Sequence, residues 1–210
     1  SPRQHDVEEI LNSITHAIGA GLSIAGLIVM LILVARDPDP GEWVGYTVYG
    51  LSQILLYLSS ALLHGFAPYP RLRAALGRLD FASIYILIAG TYTPISLTLL
   101  RGPWGWTILS VIWTLAAVGV TARTWVLPRD HFLSDLLYIP MGWLILVAFG
   151  PLMRAATPAF IAWAVAGGVS YSAGVAFYAW RRLPFNHLIW HFFVLAGSAC
   201  FFVGYVTQAL

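Results

Sequence analysis

The sequence predicts an all-α integral membrane protein with seven transmembrane helices, its N-terminus cytoplasmic and its C-terminus outside. Three observations lead to this fold class. Hydrophobic residues make up 59% of the chain and charged residues only 10%, whereas a soluble domain carries about 25% charged residues. The few charged residues divide the chain into seven apolar runs. Arginine is also distributed unequally between alternate loops.

The seven apolar runs contain no Arg, Asp or Glu and are 18 to 28 residues long. A helix rises about 1.5 Å per residue, so each run can cross a hydrocarbon core about 30 Å thick. The runs lack the two-residue alternation of a membrane barrel, which leaves helices to satisfy the backbone in lipid. They are residues 10–35, 43–70, 81–100, 102–122, 136–153, 155–180 and 183–210. Because the connections are short, we expect residues 1–210 to form a single seven-helix domain.

Arginine determines the predicted orientation, because the sequence has no lysine and all 11 basic residues are arginines. Eight of them fall on the side of the N-terminus: Arg3, Arg71, Arg73, Arg78, Arg123, Arg129, Arg181 and Arg182. The other side holds Arg36, Arg101 and Arg154. The positive-inside rule therefore predicts a cytoplasmic N-terminus. The net charge of +2 reflects this bias, and we expect no nucleic-acid partner.

Four ionisable residues are predicted to lie near the cytoplasmic face. His64 is at the inner end of the second helix, Asp80 at the inner start of the third, and His187 and His191 in the first turns of the seventh. All four should lie within about 15 Å of the interface. Ionisable side chains in membrane segments are costly and commonly functional. Three histidines and a carboxylate form the ligand set of a zinc site with an open position.

The spacing of these residues supports a metal site. His187 and His191 are four residues apart and share one helix face, and His64 is the candidate third ligand. Asp80 either ligates the ion directly or holds a metal-bound water. Ser60 precedes His64 by one turn on the same face, within reach as an outer hydrogen bonder. The alternative is that the histidine pair anchors the helix at the interface, and that Asp80 pairs with Arg78 or marks the helix start, where an acidic side chain is favourable.

Three motifs resemble the hemolysin III family and the related progestin and adipoQ receptors. In chain order they are Glu9-x2-Asn12-x3-His16, Ser60-x3-His64 followed by Asp80, and His187-x3-His191. The resemblance implies that His64, His187 and His191 bind Zn²⁺ and that Asp80 holds the zinc-bound water. It also implies a bacterial inner (plasma) membrane protein.

Other polar residues are interpreted as structural. Glu9, Asn12 and His16 fall within about 60° of one another on a helix, and we assign them structural or supporting roles, with His16 not a ligand. His131 and Asp135 share a face of the fifth helix and are interpreted as a surface pair.

Two further features concern packing. Pro94 and Pro140 lie inside the third and fifth helices and should kink them, which opens space in the bundle. Ala166, Ser170 and Gly174 form a stripe of small residues on the sixth helix. Such a stripe predicts close packing against a neighbouring helix.

The predicted site indicates hydrolysis. Zinc bound by three neutral imidazoles lowers the pKa of a bound water to about 7, and Asp80 is placed to act as general base, with Ser60 beside it. The depth of the site and the resemblance, which extends to alkaline ceramidases, indicate ceramide-like amides or esters of membrane lipids as substrates. Two alternatives remain open: a receptor-like or membrane-homeostasis regulator with structural zinc, and a membrane-lytic protein, which ranks last because the outer helix halves are apolar.

Overall fold

A computed structural model describes residues 2–126 and 137–210 of the chain. Within these ranges the chain is helical and contains no strand. Seven helical segments are long and apolar enough to cross a membrane, which confirms the predicted fold class. They are Gln4–Val34, Pro40–Gly65, Pro70–Leu99, Gly102–Val126, Tyr138–Ala155, Pro158–Ala179 and Asn186–Ala209. The predicted surface pair His131 and Asp135 lies outside the described residues.

Eight α-helices of the described ranges build these seven spans. They are α1 (Pro2–Val34), α2 (Pro40–Gly65), α3 (Pro70–Pro94), α4 (Gly102–Thr121), α5 (Tyr138–Gly142), α6 (Phe149–Ala155), α7 (Pro158–Ala179) and α8 (Asn186–Ala209). α3 and α4 each continue into a π-helical turn, Ile95–Leu99 and Ala122–Val126. The fifth span is broken, because a 3-10 helix, Leu144–Ala148, separates α5 from α6.

Proline and a capping side chain explain where two of these helices begin. α2 starts at Pro40, and the side chain of Asp39 accepts a hydrogen bond from the backbone N–H of Glu42 at 3.1 Å. α7 starts at Pro158, and Thr157 caps it in the same way. Proline suits a first turn because the N–H that it lacks has no partner inside the helix there.

Both prolines expected to disturb a span coincide with a change of helix type. Regular α-helix ends at Pro94, and a π-helical turn follows. Pro140 lies within the five residues of α5, and the chain then passes into the 3-10 helix. A proline removes a backbone donor and its ring crowds the preceding turn, so the regular hydrogen-bond pattern cannot continue through it.

A tyrosine from α3 satisfies backbone groups at the break in the fifth span. The hydroxyl of Tyr92 donates to the carbonyl oxygen of Gly142 at 2.8 Å and accepts from the N–H of Ile145 at 2.9 Å. Irregular backbone is tolerated at membrane depth only where protein or trapped water satisfies it. The third span therefore completes the hydrogen bonds of the fifth.

Packing brings the ends of distant helices together. α2 packs against both α1 and α3, while α8 packs against both α7 and α1. The small-residue stripe on α7 makes the predicted close contact: Ser170 donates to the carbonyl oxygen of Phe193 on α8 at 2.8 Å. A Cβ atom added to Gly174 would lie 2.8 Å from Cβ of Phe193. The end of α2 and the starts of α1, α3 and α8 therefore meet at one end of the bundle.

Candidate metal centre

Three histidines from two helices converge at this end of the bundle. His64, His187 and His191 each offer a ring nitrogen, and these three atoms lie within 4.8 Å of one another. The ring centroids are 4.7 to 5.2 Å apart. His64 and His191 are buried, with 7% and 1% of their surfaces exposed, and His187 is half-buried. The arrangement predicted from the sequence is thus present as a group that can hold a metal ion.

Local structure fixes the two histidines of α8. Phe185, directly before the helix, has a left-handed φ of 57°. The side-chain amide of Asn186 donates to the carbonyl oxygen of Tyr178 at 2.9 Å, which ties the start of α8 to the end of α7. With the helix start fixed, the four-residue spacing directs His187 and His191 to the same side.

His64 is oriented by a carboxylate from α1. Its Nδ1 donates to a carboxylate oxygen of Glu9 at 2.6 Å, and Nη2 of Arg73 donates to the other oxygen, also at 2.6 Å. Nε2 of His64 is buried and has no hydrogen-bond partner among the described residues. The carboxylate thus holds the tautomer that leaves the lone pair of Nε2 free. A histidine held from behind by a carboxylate is a recurrent arrangement in metal sites.

A threonine of α1 has a similar relationship to His191. The hydroxyl of Thr15 lies 2.9 Å from the carbonyl oxygen of Leu11 and 3.0 Å from that of Asn12, so its proton is directed to the backbone. The same oxygen lies 3.3 Å from Nδ1 of His191 and accepts a hydrogen bond from it. Nε2 of His191 is then the nitrogen with a lone pair available to a metal.

His16 lies against this cluster but does not join it. Its ring stacks on that of His191, with centroids 3.4 Å apart and 11° between the planes. Imidazole lone pairs lie in the plane of the ring, so two parallel rings in this arrangement cannot direct them at one ion. The geometry agrees with the interpretation that His16 is not a ligand.

Asp80 and Ser60 lie beside the histidines. Both side chains line the same cavity as His187 and His191. Among the described residues, the group whose ligand atoms all lie within 4.8 Å of one another consists of the three histidines, and Asp80 is not part of it. Of the two roles that the sequence left open, this position favours the one in which Asp80 holds a water.

The cavity next to the histidines has a volume of about 120 Å³. Its polar end carries His16, Ser60, Asp80, His187 and His191, and the remaining lining is mainly aliphatic and aromatic, from α3, α5, α7 and α8. A second cavity of about 60 Å³ continues beyond it, and Trp143 lines both. The indole N–H of Trp143 donates to the hydroxyl of Ser172 at 3.0 Å, which links the fifth and sixth spans there.

The donor atoms fit a metal ion of zinc type. Three imidazole nitrogens are borderline-soft ligands that suit zinc and its late transition-metal neighbours. A buried nitrogen without a hydrogen bond, such as Nε2 of His64, is energetically costly. An ion bound at this position would remove that cost.

The sequence did not identify several supporting residues. The sequence indicates a polar stripe on α1 that includes Glu9, but it does not indicate the hydrogen-bond partners of Glu9. These partners, His64 and Arg73, lie 55 and 64 residues further along the chain. In the sequence, Arg73 is recognisable only as a cytoplasmic charge. Thr15 gives no signal, since a threonine inside a helix is unremarkable in sequence.

Fold and site together define a class: a seven-helix membrane protein in which three histidines converge at one end of the bundle. The family model described as Haemolysin-III related matches residues 4–202, and the chain belongs to this family. It is 49% identical over 195 residues to Hemolysin-3 of Bacillus cereus. The aligned region covers 93% of this chain and 89% of the relative. It is 43% identical over 195 residues to the Hemolysin-3 homolog of Bacillus subtilis (strain 168), covering 93% and 91%.

Proposed function

We propose that this protein is a zinc-dependent hydrolase of lipid amides or esters that acts in the bacterial inner membrane. The observation that carries the proposal is the composition of the cavity: a polar end with a potential metal centre and a carboxylate, continued by an apolar chamber. Such a chamber suits the hydrocarbon of a lipid, while the polar end suits the bond that is cleaved.

Zinc is the ion that this donor set suits best. Catalytic zinc sites commonly have three protein ligands and keep the fourth position for water or substrate. His64, His187 and His191 supply three, and Glu9 and Thr15 support two of them from behind. When bound, zinc supplies a Lewis acid that lowers the pKa of water at the site to about 7.

Asp80 would carry the proton. It holds the attacking water and takes its proton, while Ser60, which lines the same cavity, keeps the carboxylate in place. The oxygen of the water forms a bond to the acyl carbon, and the bond from this carbon to the leaving nitrogen or oxygen breaks. Asp80 then passes the proton to the leaving group, and a carboxylic acid and an amine or alcohol result.

The arginine distribution supports a cytoplasmic location for the centre. The arginines at the same end of the bundle as the histidines lie in the first three turns of α3 or in the connection before α8: Arg71, Arg73, Arg78, Arg181 and Arg182. Under the positive-inside rule this end faces the cytoplasm. The centre would then lie near the inner headgroup boundary, where the amide and ester bonds of lipids are found.

Metal content and turnover of two variants test the proposal. We expect the purified full chain to contain zinc and to release fatty acid from a ceramide or a monoacylglycerol in detergent micelles. Asp80→Asn should keep the zinc but lose at least about a hundredfold in turnover, as expected when a general base is removed. A His187→Ala/His191→Ala double variant that remains folded should lose both zinc and turnover.

The outcomes separate the hydrolase from the alternatives. Wild-type turnover by Asp80→Asn would contradict the assigned base. Zinc without release of fatty acid from either substrate would favour the regulator, in which zinc is structural. Lysis of vesicles by a zinc-free variant would favour the activity indicated by the name of the Bacillus cereus relative.

A further inference from the structure

His16 on α1 is a buried imidazole with unused hydrogen-bonding capacity. Only 3% of the residue is exposed, and neither ring nitrogen has a hydrogen-bond partner among the described residues. A neutral imidazole carries one donor and one acceptor. Buried polar atoms in folded proteins nearly always have a partner, so His16 requires one that is not part of the described protein.

The metal centre does not provide this partner. The ring of His16 is parallel to that of His191, and its lone pair lies in a separate plane. Tyr57 packs against the ring edge-on at 5.0 Å, but its hydroxyl donates to Ser198 at 2.6 Å and lies 3.2 Å from the carbonyl oxygen of Val194. The neighbouring aromatic side chains thus fix the position of the imidazole and leave its nitrogens free.

The imidazole of His16 lines the cavity next to the metal centre. Ser60 and Asp80 line the same cavity. The rest of the lining is mainly apolar, with residues such as Leu87, Ile88 and Val194. A ligand that fills this cavity therefore places its hydrocarbon among apolar residues and its polar group beside His16.

We propose that His16 is a substrate-positioning residue that hydrogen-bonds to the carbonyl oxygen of an acyl chain bound in the cavity. The assignment rests on the proposed function, because it places the carbonyl beside Asp80. The imidazole N–H supplies the donor, and the stack on His191 fixes its direction.

Binding of a fatty acid tests the proposal without requiring turnover. The probe is cis-parinaric acid, whose fluorescence increases in an apolar site, titrated into the zinc-loaded full chain in detergent. We expect saturable binding that His16→Phe weakens about tenfold, equivalent to the loss of one hydrogen bond. Phenylalanine keeps a ring against His191, so the zinc content should not change. Ser96→Ala is the matched control. The hydroxyl of Ser96 is also buried and has no partner among the described residues, but Ser96 does not line this cavity, so the variant should bind like the wild type.

Three results would overturn the proposal. One is saturable binding of equal strength by wild type and His16→Phe. The second is the absence of saturable binding by the wild type. The third is loss of zinc from His16→Phe, which would assign His16 to the support of His191. Saturable binding that depends on His16, with no hydrolysis of ceramide or monoacylglycerol by the wild type, would instead leave this inference intact and contradict the proposed function.

Discussion

Glu9 and His64 are 55 residues apart in the chain, yet a carboxylate oxygen of Glu9 lies 2.6 Å from Nδ1 of His64. The other oxygen of Glu9 accepts from Arg73 at the same distance. One carboxylate thus joins the first, second and third spans at the metal centre. The hydrogen bond also determines which nitrogen of His64 remains available to an ion.

Replacing Glu9 should weaken metal binding. An amide has only one acceptor oxygen, so Glu9→Gln cannot accept from both His64 and Arg73. We expect the dissociation constant for zinc to rise about 10- to 100-fold, as is typical when such a support is removed. Competition with a chelator of known affinity measures the change. Asp6→Asn, an exposed acidic residue on the same helix, should bind zinc like the wild type; an equal effect of both changes would contradict the specific role of Glu9.

Removing the hydroxyl of Tyr92 should destabilise the fifth span. Tyr92→Phe leaves the carbonyl of Gly142 and the N–H of Ile145 without that partner, at a cost of about 1–3 kcal/mol. Tyr57→Phe is the comparison, because Ser198 keeps its contact with Tyr171 and the expected loss is only about 0.6 kcal/mol. Thermal unfolding in detergent gives both values. Equal losses would show that the break in the fifth span does not depend on Tyr92.

Adding a methyl group at Gly174 should disturb the packing of α7 against α8. A Cβ atom there would lie 2.7 Å from the indole of Trp190 and 2.8 Å from Cβ of Phe193. Gly174→Ala should therefore cost about 1–3 kcal/mol of stability. A Cβ atom added to Gly21 would meet no neighbouring heavy atom within 4 Å, so Gly21→Ala should be neutral or gain up to about 1 kcal/mol from helix propensity. If both variants shifted the unfolding midpoint in the same direction and by a similar amount, this packing argument would be contradicted.

The ion pair of Asp39 with Arg101 should make the stability of the fold depend slightly on pH. The guanidinium of Arg101, 2.6 Å away, lowers the pKa of this carboxyl below its usual value of 3.8. A lowered carboxyl pKa stabilises the folded state above the usual value, and this contribution is lost as the pH falls through the lower value. Asp39→Asn keeps a capping side chain but removes the charge, so it should cost less than about 1 kcal/mol at pH 7.

The control for this prediction is the neighbouring acid Asp37. Asp37→Asn should leave the unfolding midpoint unchanged at pH 7, because this exposed residue has no ion pair among the described residues. The difference between wild type and Asp39→Asn should shrink as the pH is lowered below 3.8. A constant difference across this range would show that the carboxylate charge is not responsible.

The sequence predicted the spans and the histidine cluster because both depend on simple periodicities. A run of about 20 apolar residues is long enough to cross a membrane, and a spacing of four places His187 and His191 on one face. The sequence predicted a kink at Pro140, but not the 3-10 helix that follows it or the stack of His16 on His191. The stack arises from a contact between side chains on separate spans, which no local pattern records.

The first span illustrates the same limit. The charge-free run begins at residue 10, but α1 begins at Pro2 and is 33 residues long. Composition marks only the part of a helix that suits hydrocarbon, whereas hydrogen bonding continues through polar residues such as Glu9. The additional turns carry the carboxylate that supports His64, so the part that hydropathy omits contributes to the metal centre.

The hydrogen bonds of Tyr92 have a consequence for the order of membrane insertion. The two short helices of the fifth span leave backbone groups that hydrocarbon cannot satisfy, and the hydroxyl that meets two of them belongs to α3. During synthesis α3 leaves the ribosome before the fifth span does. The third span is therefore already available when the fifth enters the bilayer. The fifth span acquires its final backbone conformation by hydrogen-bonding to a helix that precedes it in the chain.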